Sequence, residues 1–428
     1  MDSRRVSIVG GGAAGFFAAI ACAEARPGTE VTVLESSPSF LTKVRISGGG
    51  RCNVTHACFD ARELASRYPR GGRALIGPFR VFQPRDTVAW FAARGVELKT
   101  EADGRMFPVS DSSATVVDCL VGAARAVGVV LRTGCGVTRI ARRPAGGFDL
   151  TLARDEAHRS DRVLLATGGC RTAAGGALAV SLGHTLEAPV PSLFTFHVET
   201  PWLRELAGVA VASAEVSVPS VALRERGAVL LTHWGLSGPA VLRLSAWGAR
   251  ALHALDYRFA LRVNWLPDLD AEELAAVLRS RRQEQPSRLI VNSPIAPLTA
   301  RLWERLVLAA GIGRDTRWAD LSRPDRARLV EQLVRTELPV SGKSMNKDEF
   351  VTCGGVALRE VSFKTMESRV CLGLHLAGEL LDIDGITGGF NFQAAWTTGW
   401  IAGRAMAGED AVVRVAGPEL GDGPAAPR

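Results

Sequence analysis

The spacing of apolar positions changes along the chain, and each change marks a different kind of structure. At the start, short apolar runs at Arg5–Val9 and Glu30–Leu34 flank an Ala-rich stretch at Ala13–Ala25. β-Branched runs of this length read as strands, and the stretch between them reads as a helix. That order predicts a βαβ unit, two parallel strands joined by a right-handed crossover. From about Pro189 the pattern alternates, at Gly208–Val218, Ala228–Thr232 and Tyr257–Val263, with turn residues between. This predicts an antiparallel or barrel-like β domain. Helical spacing follows at Asp270–Arg282, Pro297–Ala310 and Arg323–Leu338. Asp268 or Asp270 is the N-cap of the first of these helices, and Ser322, ahead of Pro324, that of the third. After Pro339, strand-like sequence returns at Arg369–Leu376, then a Gly-punctuated turn and a final helix from Asn391 to about Ala407. A closing strand and helix complete the opening domain, so the middle region is an insertion.

Composition adds bounds. A chain of 428 residues exceeds what one core usually serves, so two or three units are expected. With 47% hydrophobic and 22% charged residues, collagen, coiled-coil and wholly disordered classes are excluded. Only the Gly-, Pro- and Ala-rich end after about Gly408 suggests disorder. Lys and Arg number 51 against 44 Asp and Glu, a net +7 that permits attraction to phosphates without demanding it. Arg279, Arg281, Arg282, Arg314, Arg317, Arg323, Arg326 and Arg328 carry much of this excess. They read either as a solvated helical face or as a surface facing RNA. Eight cysteines without a CxxC pair or zinc-like spacing suggest neither a metal site nor a disulfide framework, and point to the reducing cytoplasm. Val6–Ala23 is uncharged and follows Arg4 and Arg5, as a signal peptide would. Four glycines, Gly10, Gly11, Gly12 and Gly15, argue against a stable apolar helix across it. No other segment is long and apolar enough to span a bilayer, so a soluble, untargeted protein without membrane association is expected.

The first chemical motif is Gly10, Gly12 and Gly15, a GxGxxG that also includes Ala13 and Ala14, between a strand and a helix. Glycines let the backbone approach a pyrophosphate, whose charge meets free amides and the positive end of the helix dipole. Glu35 ends the second strand, where a carboxylate can accept hydrogen bonds from an adenosine ribose, with Ser36 beside it. This motif predicts dinucleotide binding but does not separate FAD from NAD. More distant motifs favour the larger, flavin-bearing cofactor. Ser47-Gly48-Gly49-Gly50-Arg51-Cys52-Asn53 exposes amides and a permanent cation. Thr167 and Gly168 follow the apolar strand Val163–Leu165. Gly378 and Glu379 follow another strand, with Glu379 expected at the ribityl hydroxyls. Asp384 and Gly388-Gly389-Phe390-Asn391 lead into the last helix, whose first amides can stabilise negative charge on a reduced flavin. Lys43 joins this cofactor-binding set. Cys52 reads either as a general acid beside the flavin or as a small packed residue. Lys364, Glu367 and Arg369 read either as substrate anchors or as structural ion pairs, and His233 as a loop histidine before an acid.

The strings GGGAAG, KVRISGGGRCNVT, GRMFPVSDSSATVVD, THWGLSGPAVL, VTCGGV, KTMESR and AGELLDIDGITGGFNFQAAWTTGWIAG run in order from about residue 5 to residue 407. Together they resemble the BaiN/RdsA-type family of NAD(P)/FAD-dependent oxidoreductases, some of whose members are called aminoacetone oxidase. The resemblance implies an α/β fold with a discontinuous Rossmann-like FAD-binding domain, interrupted by a β-rich barrel-like domain and a small helical subdomain. Expected bounds are 1–189 and 340–410 for the FAD domain, 190–266 for the β-rich domain and 267–339 for the helices. β structure resuming near residue 339 stays open, and 411–428 is expected to be a flexible tail. The implied activity is reduction of an electron-poor C=C bond by FAD, with NADH or NADPH as transient reductant. Uridine in large-subunit rRNA is the leading substrate, which would make dihydrouridine. An oxygen-using amine oxidase, and a non-catalytic FAD-stabilised RNA-binding or assembly factor, remain as alternatives. No second GxGxxG for a nicotinamide cofactor is present.

Overall fold

The computed structural model describes residues 4–170, 173–344 and 351–409. The chain divides into two compact units, Met1–Pro189 with Gly354–Arg428, and Val190–Cys353. The expected tail at 411–428 lies outside the described residues.

The first unit is built on a seven-stranded sheet. Its order is Val361–Ser362, Glu367–Ser368, Leu374–Leu376, Arg162–Leu165, Arg5–Val9, Glu30–Leu34 and Val130–Arg132. The last five strands run parallel, and a short antiparallel hairpin closes the other edge. The parallel strands are covered on both faces, and Arg5–Val9 is buried throughout after its first residue, apolar but for Ser7. The register sets four strand ends level. Val9 lies opposite Leu34 and Leu165, and Leu165 opposite Leu376. The residues that follow, Gly10, Glu35, Ala166 and Ala377, therefore leave the sheet along one carboxyl edge.

Helix Ala13–Ala25 is buried from Ala14 to Ala23, in keeping with its apolar character on every side. The last helix, Phe390–Ala407, packs across it. A Cβ at Gly399 would lie 2.3 Å from the Ala14 carbonyl oxygen, and one at Gly403 2.3 Å from that of Ala18. These two glycines, four residues apart on one helix face, let the backbones touch.

The second unit is a closed barrel of Thr195–Val198, Gly235–Ser237, Leu223–Thr232, Ala210–Val218, Phe259–Asn264 and Thr336–Ser344. The helices that accompany it include Ala271–Glu284, Ala300–Ala309 and Arg323–Val334, the first of these capped by Asp270 and the last by Ser322. The expected small group of helices packs on the barrel, with Leu274, Leu302, Trp303 and Leu329 in one core with the barrel residues Phe196, Val216, Val229 and Leu261. One expectation is corrected here. The third helix ends at Val334 rather than at residue 338, because Thr336–Val340 alternates buried and exposed and pairs with Phe259–Val263. The return to the first unit accordingly comes at Gly354 and not at residue 340. Among the described residues no helix is long and apolar enough to cross a membrane.

Candidate dinucleotide site

The level strand ends bring most of the sequence motifs to one edge of the first unit, the place where open parallel sheets hold their ligands. Gly10 N donates to Leu34 O at 2.9 Å and Ala166 N to Val9 O at 2.8 Å, so the Gly-rich turn starts between the two neighbouring strand ends. A Cβ at Gly10 would lie 2.2 Å from Ala166 O, and one at Gly15 2.0 Å from Gly10 O. These two glycines are demanded by packing. Gly12 differs: a Cβ there would meet nothing within 4 Å, and its φ of −94° suits any residue. The turn is open at Gly12, ahead of the free amides of the helix that it caps.

Glu35 is engaged by backbone. Its carboxylate accepts from Gly11 N at 2.7 Å and from Ser37 N at 2.8 Å, and Ser36 Oγ donates to it at 3.2 Å. The segment Thr133–Gly136 joins this corner, which the sequence reading missed. Cys135 N donates to Glu35 O at 2.9 Å, and Gly136 faces Ser36. The available signal was its place directly after the outermost parallel strand, Val130–Arg132. Across the edge, Gly378 N donates to the buried Thr398 Oγ at 3.0 Å, and a Cβ at Gly378 would touch Ala14. Thr167 Oγ donates to Gly175 O at 3.0 Å, while Gly168 faces open space.

The Ser47–Asn53 and Gly388–Asn391 motifs, over 300 residues apart in sequence, meet through Asn53. With its amide oriented to satisfy both neighbours, its oxygen accepts from Gly389 N at 3.0 Å and its nitrogen donates to Thr55 O at 3.0 Å. Gly48, Gly49 and Gly50 all have left-handed φ, of 58°, 67° and 85°, which is why three glycines occur in a row. Gly49 and Gly50 face open space. Lys43 Nζ reaches Glu379 at 2.6 Å, tying two members of the set to each other.

Other members are held structurally. Arg51 turns to Glu101 at 2.7 Å and lies 4.0 Å over the Phe107 ring, so its charge is spent there. Asp384 is fully buried and accepts from Arg70 Nε at 2.6 Å, with a second bond from the same guanidinium. Asn391 clamps Gly385, its Nδ2 donating to the carbonyl at 2.9 Å and its Oδ1 accepting from the amide at 2.8 Å. The Cys52 side chain is fully buried, and burial pushes its thiol up to about 12 despite a hydrogen bond with Ser47. A thiol so buried and so weakly acidic favours the packing alternative. In the hairpin after Val361, Glu367 accepts from Gly373 N at 2.9 Å and Arg369 Nε donates to Val361 O at 3.3 Å, which favours their structural alternative. Lys364 is exposed. His233 lies in the second unit, in the turn before Gly235–Ser237, edge-on to Trp234 at 4.3 Å. Among the described residues no cluster of His, Cys, Asp or Glu is arranged to hold a metal.

A buried network, absent from the sequence reading, fixes the last helix. Thr55 and Thr87 donate to Gln393 Oε1 at 2.6 and 2.9 Å, Gln393 donates to Thr397 at 3.0 Å, and Trp396 Nε1 donates to Val54 O at 2.9 Å. Every member is satisfied, so the helix start is positioned without a buried polar cost.

A model of the HI0933-like protein Rossmann domain family matches residues 4–405. The chain is 31% identical over 411 residues to the 3-dehydro-bile acid delta(4,6)-reductase of Clostridium scindens, covering 94% of this chain and 99% of that protein. To the ribosomal RNA dihydrouridine synthase of Escherichia coli it is 31% identical over 404 residues, covering 92% and 95%. The protein of the same name from Haemophilus influenzae is 27% identical over 405 residues, covering 92% and 96%. With its Gly-rich turn at the carboxyl edge of a parallel sheet and a match over nearly its whole length, the chain belongs to the HI0933-like Rossmann family and is an enzyme of the oxidoreductase class.

Proposed function

We propose that this enzyme holds FAD and reduces an electron-poor C=C bond with hydride from NADH or NADPH, uridine in large-subunit rRNA being the leading substrate. The observation that carries the reading is the carboxyl edge at which Gly10, Glu35, Ala166 and Ala377 leave four level strand ends, with Gly12 open ahead of the helix amides. A group with a pyrophosphate at one end and a flat ring at the other suits that edge. The substrate reading is supported by the relatives, one a reductase and two dihydrouridine synthases of ribosomal RNA.

In this reading Gly10, Gly12, Ala13, Ala14 and Gly15 present amides to the pyrophosphate, where the helix dipole adds to their attraction. Glu35 and Ser36 take the adenosine ribose, since a carboxylate with two amide donors retains lone pairs for hydroxyls. Lys43, Ser47–Asn53, Thr167, Gly168, Gly378, Glu379 and Gly388–Phe390 surround the flavin end, with Asp384 and Asn391 shaping the last loop. Bound flavin supplies a two-electron centre that takes hydride from a nicotinamide and gives it up to an unsaturated carbon. Lys364 is retained as a substrate contact.

The deciding measurement is mass analysis of rRNA nucleosides from cells lacking the protein, with loss of a dihydrouridine expected. Full retention of every dihydrouridine overturns the rRNA substrate. Anaerobic mixing with NADH or NADPH should bleach the flavin, and bleaching by a small amine alone would instead establish the amine oxidase alternative.

A further inference from the structure

Some arginines on this molecule are matched by ion pairs, as at Arg132–Glu156, Arg226–Asp268, Arg262–Glu337 and Arg314–Glu304. One region of the second unit gathers seven that are not. Arg279, Arg281 and Arg282 lie toward the end of helix Ala271–Glu284, Arg288 and Arg317 lie on either side of the backbone bridge between Leu289 and Arg317, and Arg323 and Arg326 open helix Arg323–Val334. These positions are tied together. Trp318 N donates to Arg288 O at 3.0 Å, Ala319 N to Pro286 O at 2.9 Å, and Leu321 N to Trp318 O at 3.3 Å. None of the seven makes an ion pair among the described residues, and Arg279, Arg282, Arg288, Arg317 and Arg323 are exposed. Of the nearby carboxylates, Glu284 is bonded to Ser280 and Asp325 to Ser322 and Arg328, while Asp315 and Asp320 beside Arg317 are exposed.

A helix dipole accounts for part of this only. Arg281 and Arg282 sit in a last turn, where cations are favoured. Arg323 and Arg326 sit at the start of a helix, where the dipole opposes them. Seven guanidinium groups on adjoining elements without ion pairs raise the local positive potential, which attracts an anionic partner. Guanidinium groups in this arrangement suit the repeated phosphates of a nucleic acid strand.

We propose that this arginine surface docks the phosphate backbone of the RNA substrate, an inference that rests on the rRNA reading above. Fluorescence anisotropy with a labelled large-subunit rRNA transcript tests it, using full-length flavin-loaded protein. Arg279→Gln/Arg317→Gln/Arg323→Gln should bind roughly 10- to 100-fold more weakly at low salt, with the slope of log affinity against log salt reduced by roughly 2. Arg282→Gln/Arg288→Gln/Arg326→Gln should do the same, guarding against misfolding of one variant. A charge-matched Arg26→Gln/Arg139→Gln/Arg154→Gln variant should bind as the parent does, and NAD(P)H-driven bleaching should be unchanged in all three. Equal losses in the charge-matched variant, unchanged RNA affinity in both surface variants, or equal affinity for an acidic polypeptide would each overturn the surface. RNA bound here without formation of dihydrouridine would instead overturn the catalytic reading and leave the surface standing.

Discussion

Glycines in this chain separate by what a side chain would meet. Gly10 and Gly15 were singled out together with Gly12 by their spacing, yet only the first two are required by packing. Gly12→Val should therefore leave stability within about 0.5 kcal/mol of the parent, as at ordinary surface sites, while the purified protein loses its yellow colour. Colour retained at full stoichiometry would remove the pyrophosphate from this turn. Gly15→Val should not fold, since its Cβ would collide with the Gly10 carbonyl. Cys52 shows the opposite limit of sequence reading. Its neighbours suggested an acid, but complete burial pushes the thiol up to about 12, which makes it a weak proton donor. Cys52→Ala is expected to change reoxidation of reduced flavin by substrate less than about threefold in stopped flow. A loss of 10²–10⁴-fold, typical of a missing general acid, would return the proton to Cys52.

At the scale of elements, the opening βαβ unit was legible because strand, Gly-rich turn, helix and acidic residue are all local. Its three elements fall where periodicity put them, at Arg5–Val9, Ala13–Ala25 and Glu30–Leu34. The last helix was legible as a helix, but not as a partner of the first. Gly399 and Gly403 read as weak helix formers until the Ala14 and Ala18 carbonyls are found against them. Gly403→Ala should cost about 1–3 kcal/mol by overpacking, despite the better helix propensity of Ala. Chemical denaturation measures this, and a stabilised variant would show that the helices can move apart freely. The strand Thr336–Ser344 was misread at its start because helical and alternating patterns overlap there, and only its barrel partners select between them.

For the whole molecule, a buried histidine couples the first unit to pH. Burial, with Arg162 nearby, pushes His375 down from 6.5 to about 3, and its Nδ1 has no hydrogen-bond partner. The native state holds it neutral, whereas the unfolded chain binds a proton below pH 6.5. Stability should thus fall as pH drops from 6.5 toward 3, by at most about 1.4 kcal/mol per pH unit from this residue. His375→Gln should flatten the melting profile over that window relative to the parent, and parallel profiles would exclude the residue as the cause. At this scale the sequence by itself determined the presence of a dinucleotide fold, its interruption by a β-rich insertion and the residues around its Gly-rich turn. Each of these rests on short-range periodicity or on motifs compact enough to act alone. Only the tertiary structure decided that the barrel and its helices share one core, that Asn53 joins Gly389, and that Arg51, Asp384 and Asn391 are engaged by protein groups. Those outcomes depend on which distant groups come within hydrogen-bonding reach, and nothing in the local sequence specifies that partner.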